Sequence, residues 1–409
     1  MIPLELDMLR ELVPGQWECA VWAGEVTGVQ VDSRRIEEGD LFVAVGDGAA
    51  YTRHAFARGA AATLVPDEPF VALAAIAGAV RDRSDARFVA ITGSMGKTST
   101  KDVLAAVCSA QARTVAAEQS FNNEIGVPLT LCRLEPDTEI CIVEMAMRGF
   151  GQIAELCRFT RPQVGVITTI APVHLEKVET LEGVVRAKSE LIEALPPAGT
   201  AIVPAGFPIG RDDIVVVRLG QSVMLESFEL PYLRTSIGTA EVNFSAQHLA
   251  QNALAAFAAA RALGLDIPER LDVTFTEWRN QELPLPGGGL LVNDAWNANP
   301  LSMRAALEHL RFLAAGRRRV AVLGEMAELG GYSDEAHREV ARAIEEVGVE
   351  LLVSVGEGAR VYGGRHVADA EEALALVRAE LAPGDCVLVK GARALGLERV
   401  ADALPGVTA

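Results

Sequence analysis

The residue types and spacing over positions 88–100 are typical of a phosphate-binding loop. The segment reads FVAITGSMGKTST, an apolar strand-like run, then a glycine turn, then a lysine and a hydroxyl group that begin a helical pattern. Gly93 and Gly96 let the backbone approach a polyphosphate, and the first N–H groups of the helix would point at the anion. Lys97 is placed to reach terminal phosphates, and the Thr98 hydroxyl suits Mg²⁺. The predicted nucleotide-binding residues of this loop are Gly93, Ser94, Met95, Gly96, Lys97, Thr98 and Ser99.

Other candidate side chains follow predicted strands or share a helix face. Glu144 ends the apolar run ICIVE, where a carboxylate could supply a second ligand to the same metal ion. His174 follows VITTIAPV, and Lys188 lies in a helical stretch; taken singly, each also has an ordinary structural interpretation. His248 and Asn252 are four residues apart and would share one face of a helix. Spacing alone does not assign them a ligand.

The composition restricts the kind of partner. The 409 residues are 50% hydrophobic and 22% charged, which is ample for packed cores. The net charge of −18 argues against nucleic acid or an anionic membrane surface as the main partner. No apolar run approaches the length of a bilayer span, so we expect a cytoplasmic protein with no membrane insertion. The six cysteines form no C-x-x-C pair, which favours buried reduced thiols over a zinc site.

Alternating strand-like and helix-like segments predict an α/β protein of three domains. Residues 1–84 are expected to form a small α/β module. Over residues 85–277, apolar runs such as ICIVEM and VGVITTI alternate with helical stretches, which predicts a P-loop ATPase-like, mostly parallel sheet covered on both faces. The alternation repeats over residues 278–409 and predicts a Rossmann-like open sheet.

A series of segments, taken in chain order, resembles the Mur ligases, the ATP-dependent enzymes that assemble the peptidoglycan stem peptide. The segments are VDSRRIEEGDLFVAV, TGSMGKTST, SFNNEIGVPLTL, VEMAMRGFGQI, HLEKV with AKSEL, HLAQNALAA, NDAWNANPLSMRAAL, VLGEMAELG and VKGARALGLERV. Together they cover the chain nearly end to end. The blocks NNEIGVPLTL, NANPLSM, GEMAELG and VKGAR are most similar to the member of the family that adds D-alanyl-D-alanine.

The resemblance implies an activity. Enzymes of this family phosphorylate a substrate carboxylate with ATP and then let an amine displace the phosphate. The implied cofactors are ATP and Mg²⁺, and the implied substrates are UDP-N-acetylmuramoyl-tripeptide and D-alanyl-D-alanine. The first domain would bind the UDP-sugar, the second ATP, and the third the dipeptide. We expect a monomer without a nucleic-acid partner.

The resemblance also implies roles for individual residues. The matched catalytic residues are Lys97, Glu144, His174 and Lys188. The matched metal ligands are Thr98, Glu144, His174 and Lys188, the last after carbamylation by CO₂. The remaining nucleotide contacts are His248 and Asn252 at adenine, and Arg279 and Asp294 at phosphate and ribose. The matched substrate-binding residues are Ser33 and Arg34 at the uridine diphosphate, Asn122, Asn123 and Asn297, and Lys390 with Arg393 at the dipeptide carboxylate.

The sequence departs from the family pattern in three places. Of the D-G-H turn expected after LFVA, only His54 remains; Trp296 stands where a tyrosine is usual; and the stretch 204–246 is short. Two alternatives stay open. One is another amide ligase of the superfamily, of the folylpolyglutamate or poly-glutamate type. The other is a non-catalytic nucleotide-binding regulator built on the same fold.

Overall fold

The computed structural model describes residues 1–21, 23–172 and 175–405. His174, a predicted metal ligand, therefore lies outside the described residues. The chain divides into two compact units. The first comprises residues 1–169, 185–243 and 252–272, and the second comprises residues 170–184, 244–251 and 273–409.

The first 81 residues form a small mixed α/β arrangement within the first unit. Its elements are β1 (Leu4–Glu5), α1 (Leu6–Leu12), β2 (Gly15–Cys19), β3 (Glu25–Val26), β4 (Gly28–Gln30), β5 (Asp40–Val43), α2 (Thr52–Ala57), β6 (Ala62–Pro66) and α3 (Pro69–Arg81). Four of the strands form a sheet in the order β2-β6-β5-β4, in which only β2 runs antiparallel to its neighbour. Leu41, Phe42 and Leu64 are buried in it.

A six-stranded sheet follows, in the order β12-β11-β10-β7-β9-β8, and every pairing in it is parallel. Its segment of chain contains β7 (Arg87–Thr92), α4 (Lys97–Ser109), β8 (Thr114–Ala116), α5 (Gly126–Leu131), β9 (Ile140–Glu144), α6 (Gln152–Thr160), β10 (Val164–Ile167), α7 (Leu175–Val178), α8 (Leu181–Glu193), β11 (Thr200–Pro204) and β12 (Val215–Leu219). The strands β7, β9 and β10 are apolar and buried along almost their whole length. Parallel strands covered on both faces require such continuous apolar runs.

Residues 225–242 contain three strands that no clear pattern in the sequence predicts. Beyond β12, the chain forms β13 (Leu225–Glu229), β14 (Tyr232–Thr235) and β15 (Gly238–Val242), then α9 (Gln247–Ala262) and β16 (Arg270–Leu271). The last four strands form a separate sheet in the order β13-β14-β15-β16. These strands alternate exposed and partly buried residues, so they lack the uninterrupted apolar runs that mark the central sheet.

The second unit is built around another six-stranded sheet, in the order β17-β18-β22-β19-β20-β21. Its elements are β17 (Gln281–Leu285), β18 (Gly289–Asn293), α10 (Pro300–Ala314), β19 (Arg319–Gly324), α11 (Ser333–Val347), β20 (Leu351–Val355), β21 (Arg365–Val367), α12 (Ala370–Glu380), β22 (Cys386–Lys390) and α13 (Glu398–Ala403). Only β17 and β18 pair antiparallel. Helices cover both faces, with α10 and α11 in one apolar core and α12 and α13 in another.

The predicted α/β class is confirmed, with a parallel central sheet and a mixed C-terminal sheet. The three-domain boundaries at residues 84 and 277 stay a prediction. Five cysteines are buried and free as expected, but Cys19 is exposed because it lies on β2, where most residues face outward. None of the described helices combines the length and the apolar character needed to cross a membrane.

Candidate active site

The loop between β7 and α4 is fixed by the end of the neighbouring strand β10. The Thr168 hydroxyl donates hydrogen bonds to the carbonyl oxygens of Met95, at 2.5 Å, and Thr92, at 3.3 Å. The backbone N–H of Ser94 donates to the carbonyl of Thr169 at 2.7 Å. These hydrogen bonds within the protein fix the conformation of the loop, and the first backbone N–H groups of the following helix point toward it.

Both loop glycines are required by the local geometry. Gly93 and Gly96 have positive φ angles of 149° and 82°. A Cβ atom at Gly93 would lie 1.9 Å from Thr168 Oγ1, and one at Gly96 would lie 2.4 Å from Asn252 Oδ1. Asn252, on α9, therefore lies directly against the loop, while its role in nucleotide binding stays a prediction.

The predicted metal ligands Thr98 and Glu144 are in contact. Glu144 is fully buried at the end of β9. One of its carboxylate oxygens accepts a hydrogen bond from Thr98 Oγ1 at 2.9 Å, and the other accepts one from Asn122 Nδ2 at 2.8 Å. Ser120 Oγ lies 3.3 Å from Thr98 Oγ1. Thr98 and Asn122 thus hold a buried carboxylate beside the phosphate loop, with the Ser120 hydroxyl next to Thr98, and these oxygen groups are of the hard kind that suits Mg²⁺.

Two lysine side chains of the first unit, Lys97 and Lys188, differ in their burial and hydrogen bonding. Lys97 Nζ donates to the carbonyl of Gly93 at 2.9 Å, so the ammonium group is held over the loop. Lys188, on α8, is only 2% exposed. It makes no hydrogen bond or ion pair with any described residue. Burial and, secondarily, the nearby Lys97 charge lower the pKa of Lys188 well below its usual value.

The described residues include no cluster of three or more His, Cys, Asp or Glu side chains able to hold a metal ion. Mg²⁺ does not need one, because it is usually bound by one or two carboxylates together with substrate phosphates and water. Thr98 and Glu144 therefore fit a magnesium ion that is shared with a nucleotide.

A second group of predicted residues lies in the second unit. Lys390, 2% exposed at the end of β22, donates from Nζ to Asp294 Oδ2 at 2.6 Å and to the Asn297 carbonyl at 2.9 Å. Burial lowers the pKa of Lys390, while the Asp294 carboxylate opposes this change. The other oxygen of Asp294 accepts from the backbone N–H of Asn280 at 3.2 Å. Lys390 therefore joins β22 to the segment that follows β18.

Arg393 lies three residues beyond Lys390 and is held by aromatic rings. Its guanidinium carbon is 4.6 Å from the centroid of the Trp278 ring and 5.2 Å from that of Trp296. The two indoles are stacked, with centroids 5.9 Å apart and planes inclined by 17°. Arg393 also forms an ion pair with Glu398 at 2.5 Å and remains 44% exposed. Arg279, another predicted contact, lies over the Trp296 ring at 5.4 Å.

His248 lies next to His309, a residue that no pattern in the sequence marks as part of a site. Its ring lies edge-on to that of His309, with centroids 6.4 Å apart. Burial lowers the pKa of His248 to about 4, against the opposing effect of Asp294. His309 Nδ1 lies 3.0 Å from Asn280 Oδ1, and its Nε2 lies 2.9 Å from Ser245 Oγ. His248 is therefore neutral at physiological pH and could make hydrogen bonds but not an ion pair.

The predicted UDP-sugar contacts Ser33 and Arg34 form one short 3₁₀ turn. Ser33 Oγ lies 2.9 Å from Nδ1 of His54, so the remaining histidine of the altered turn does reach this site. Arg34 forms a two-point ion pair with Asp32, which lowers the pKa of Asp32 to about 2. The Arg34 side chain is largely exposed, so its guanidinium group is accessible to an anionic ligand.

Several residues that shape the site have no signal in the sequence. Thr168 and Ser120 hold the loop and the Thr98 hydroxyl, and Trp278 supports Arg393. Thr168 and Trp278 lie outside the segments that resemble the family, and Ser120 lies in SFNNEIGVPLTL without an implied role, so only the fold shows what these side chains contact. Asn123, a predicted substrate contact, instead has its side-chain oxygen occupied by the backbone N–H groups of Ile125 and Gly126.

Comparison with known proteins assigns the chain to a family. Residues 91–260 match the Mur ligase middle domain, and residues 278–393 match the Mur ligase, glutamate ligase domain. The chain is 35% identical to the UDP-N-acetylmuramoyl-tripeptide--D-alanyl-D-alanine ligase of Mycobacterium tuberculosis, over 93% of this chain and 92% of that protein. The chain belongs to the Mur ligase family.

This Mur ligase is also 30% identical to the Escherichia coli enzyme of the same name, over 99% of each chain. A solved structure with a similar fold is that of UDP-N-acetylmuramoylalanyl-D-glutamyl-2,6-diaminopimelate--D-alanyl-D-alanyl ligase from Acinetobacter baumannii. It superposes with a TM-score of 0.79 at 26% identity and covers 98% of each chain. The similarity therefore extends over nearly the full length of this Mur ligase.

Proposed function

We propose that this Mur ligase joins D-alanyl-D-alanine to UDP-N-acetylmuramoyl-tripeptide with consumption of ATP, in the synthesis of peptidoglycan precursors. The observation that carries the proposal is the buried Glu144 carboxylate, hydrogen-bonded to Thr98 beside the phosphate loop. A carboxylate that is buried beside a phosphate-binding loop favours metal-dependent phosphoryl transfer over a regulator without catalysis, because its burial costs free energy that a bound metal ion would offset. The named relatives, similar along nearly the full chain, support the choice of substrates.

The reaction has two steps. In the first, an oxygen of the tripeptide carboxylate attacks the γ-phosphorus of ATP, the bond to the β–γ bridging oxygen breaks, and ADP leaves. In the second, the dipeptide amine attacks the acyl carbon, the C–O bond to phosphate breaks, and the amine nitrogen loses a proton. Lys97, held over the loop through Gly93, lies where a cation can neutralise charge that develops on the transferred phosphoryl group.

Magnesium would be held by Thr98 and Glu144, with Lys188 and His174 as the proposed ligands of a second ion. A bound magnesium ion supplies positive charge that draws electrons from the phosphoryl oxygens. Asn122 fixes the orientation of the Glu144 carboxylate through its hydrogen bond, as the neighbours of metal ligands commonly do.

Lys188 has the properties that carbamylation requires. Its amine is buried, without a partner among the described residues, and its pKa is depressed by burial. A neutral amine can attack the carbon of CO₂: the N–C bond forms, one C=O electron pair moves to oxygen, and the nitrogen releases a proton. The product is an anionic oxygen ligand of the hard kind that magnesium prefers.

The remaining site residues are assigned as proposals. Asn252 and His248 would contact the base, and Arg279 and Asp294 the phosphate and ribose. Ser33 and Arg34 would meet the uridine diphosphate. Arg393, exposed and held over two indole rings, is the better placed cation for the dipeptide carboxylate, because Lys390 is already bonded to Asp294. We expect the enzyme to work as a cytoplasmic monomer.

One assay tests the proposal against its alternatives. The protein would be incubated with ATP and Mg²⁺, one UDP-muramoyl-peptide and one amine, and both phosphate release and product mass would be followed. We expect turnover with UDP-N-acetylmuramoyl-tripeptide and D-alanyl-D-alanine, and none when the UDP-muramoyl-dipeptide replaces the tripeptide. Turnover with folate and glutamate instead would favour the folylpolyglutamate type, and no turnover with any pair would favour a regulator.

A further inference from the structure

A groove of about 590 Å³ lies between α3 and α6 in the first unit. Phe70 and Val71, from the first turn of α3, and Leu156 and Phe159, from α6, give it apolar walls. Phe70 and Val71 are 47% and 65% exposed. Large apolar side chains at such exposure, next to a concave surface, are typical of a binding site.

One end of the groove adjoins the catalytic carboxylate. Asn123 and Ala146 line it, and Ala146 follows Glu144 by two residues. The backbone N–H of Ala146 donates to the carbonyl of Asn122 at 2.8 Å, and the Asn122 amide itself binds Glu144. Because two residues of backbone span at most about 7 Å, the end of the groove at Ala146 lies close to Glu144.

Charged side chains complete the lining. Arg158 and Glu155, both on α6, and Glu124 border the groove, and all three are exposed. None of the three forms an ion pair or side-chain hydrogen bond with a described residue. The positive charge of Arg158 and the negative charges of Glu155 and Glu124 are therefore available to a ligand in the apolar groove.

We propose that this groove binds the side chain of the tripeptide residue whose carboxylate is activated, and that Arg158 selects diaminopimelate at this position. The inference rests on the proposed function, because it takes the tripeptide as the substrate. The activated carboxylate must lie at the phosphoryl group, and the side chain of the same residue branches from the adjacent carbon. The groove that starts beside Glu144 is placed to receive it.

The chemistry of the groove matches diaminopimelate. Its side chain is three methylene groups followed by a carbon that carries an ammonium and a carboxylate. The apolar walls suit the methylene groups, Glu155 and Glu124 suit the ammonium, and Arg158 suits the distal carboxylate. A lysine side chain has no distal carboxylate and leaves Arg158 without a partner. Diaminopimelate is also in the name of the similar Acinetobacter baumannii ligase.

The test compares two substrates and two variants. Values of kcat/KM would be measured for the diaminopimelate-containing and the lysine-containing UDP-muramoyl-tripeptides, at saturating ATP and dipeptide. We expect the unmodified enzyme to prefer the diaminopimelate substrate, and Arg158→Gln to reduce its kcat/KM by about tenfold, as loss of one charge-assisted hydrogen bond would. The lysine substrate should change less than twofold. Arg83→Gln, at an exposed arginine that does not line the groove, is the matched control and should change neither.

A second variant tests the groove itself. Val71→Trp changes an exposed position, so folding should be preserved. The larger indole ring should fill part of the groove and raise KM for both tripeptides. The KM for ATP should stay unchanged. Equal effects of Arg158→Gln on both substrates, or no effect of either variant in an active enzyme, would overturn the groove assignment alone. An enzyme that turns over neither tripeptide would overturn the proposed function and this inference with it.

Discussion

Lys97 supplies the only cationic side chain of the loop formed by residues 93–99. We expect Lys97→Ala to abolish phosphate release, because no other side chain of the loop can neutralise charge on the transferred phosphoryl group. The fold should persist, since the lysine packs against loop backbone and not in an apolar core. Circular dichroism checks folding, and Lys177→Ala, at an exposed lysine, serves as the control. Near-normal activity of Lys97→Ala would show that the loop does not bind the γ-phosphate.

Lys188 carries a more demanding prediction. Lys188→Ala should be nearly inactive yet regain part of its activity when a short-chain carboxylic acid is supplied, because the acid can replace the missing carbamate oxygen. The free energy of unfolding should also fall, because the substitution removes a buried chain of methylene groups, so folding is checked by circular dichroism.

A spectroscopic measurement separates carbamylation from a merely structural role of Lys188. Carbon-13 NMR of protein equilibrated with labelled bicarbonate should show a carbamate resonance that is absent from Lys188→Ala. Full activity of the alanine variant without added acid would exclude the carbamate mechanism.

Arg393 is expected to determine affinity for the incoming dipeptide. Arg393→Ala should raise the Michaelis constant for D-alanyl-D-alanine about tenfold or more, as expected for loss of a charge-assisted contact, and should raise that for ATP much less. Steady-state kinetics with each substrate varied in turn measures both constants. Arg378→Ala, at an exposed arginine on α12, is the control. Equal changes in both constants would move the dipeptide site elsewhere.

Among the helices, α4 contains a buried ion pair that the sequence does not reveal. Lys101 Nζ lies 2.8 Å from Asp102 Oδ1 and donates to the carbonyl oxygens of Ala117 and Gln119. Lys101→Met should lower the free energy of unfolding by about 3–5 kcal/mol, because it removes the ammonium group that forms an ion pair with a buried carboxylate. Denaturant titration measures this. The double change Lys101→Met with Asp102→Asn should cost less than the single one, and an equal or larger cost would show that the pair is not coupled.

The elements that the sequence identified share a physical cause. Buried parallel strands such as β7, β9 and β10 need continuous apolar runs, and long amphipathic helices such as α8 and α11 repeat every three to four residues. The strands over residues 225–242 are short and mixed in polarity, so their sequence shows neither a continuous apolar run nor a clear alternation. Local pattern therefore predicts the sheets that carry the site, and it misses the peripheral sheet.

The candidate site was predictable only in part, for a related reason. Gly93, Gly96, Lys97 and Thr98 are contiguous, so a motif records them. Lys188 is separated from the loop by about ninety residues, and only the family resemblance distinguished it from a surface lysine. Lys390 is a different case. The family resemblance implied that it binds the dipeptide carboxylate, whereas in the structure Lys390 Nζ donates a hydrogen bond to Asp294. Contacts of this kind depend on tertiary packing.

Taken as one chain, the protein should lose stability in mild acid because of His248. Its pKa is about 4 in the folded protein and about 6.5 in an unfolded chain. The unfolded state therefore binds more protons between these values, and the free energy of unfolding should fall as pH drops from about 6.5 to about 4, by at most about 3 kcal/mol. His248→Asn should flatten this part of the curve relative to the unmodified protein. Parallel curves for the two proteins would contradict the assignment.

The stacked indoles of Trp278 and Trp296 give the molecule an optical property of its own. Two indole rings whose centroids lie 5.9 Å apart couple their intense far-ultraviolet transitions, which should add a paired positive and negative band to the circular dichroism spectrum. Arg393 lies against both rings, so a carboxylate that binds it would change the local field and shift the band. The spectrum would then report occupancy of the dipeptide site directly, without turnover and without a label.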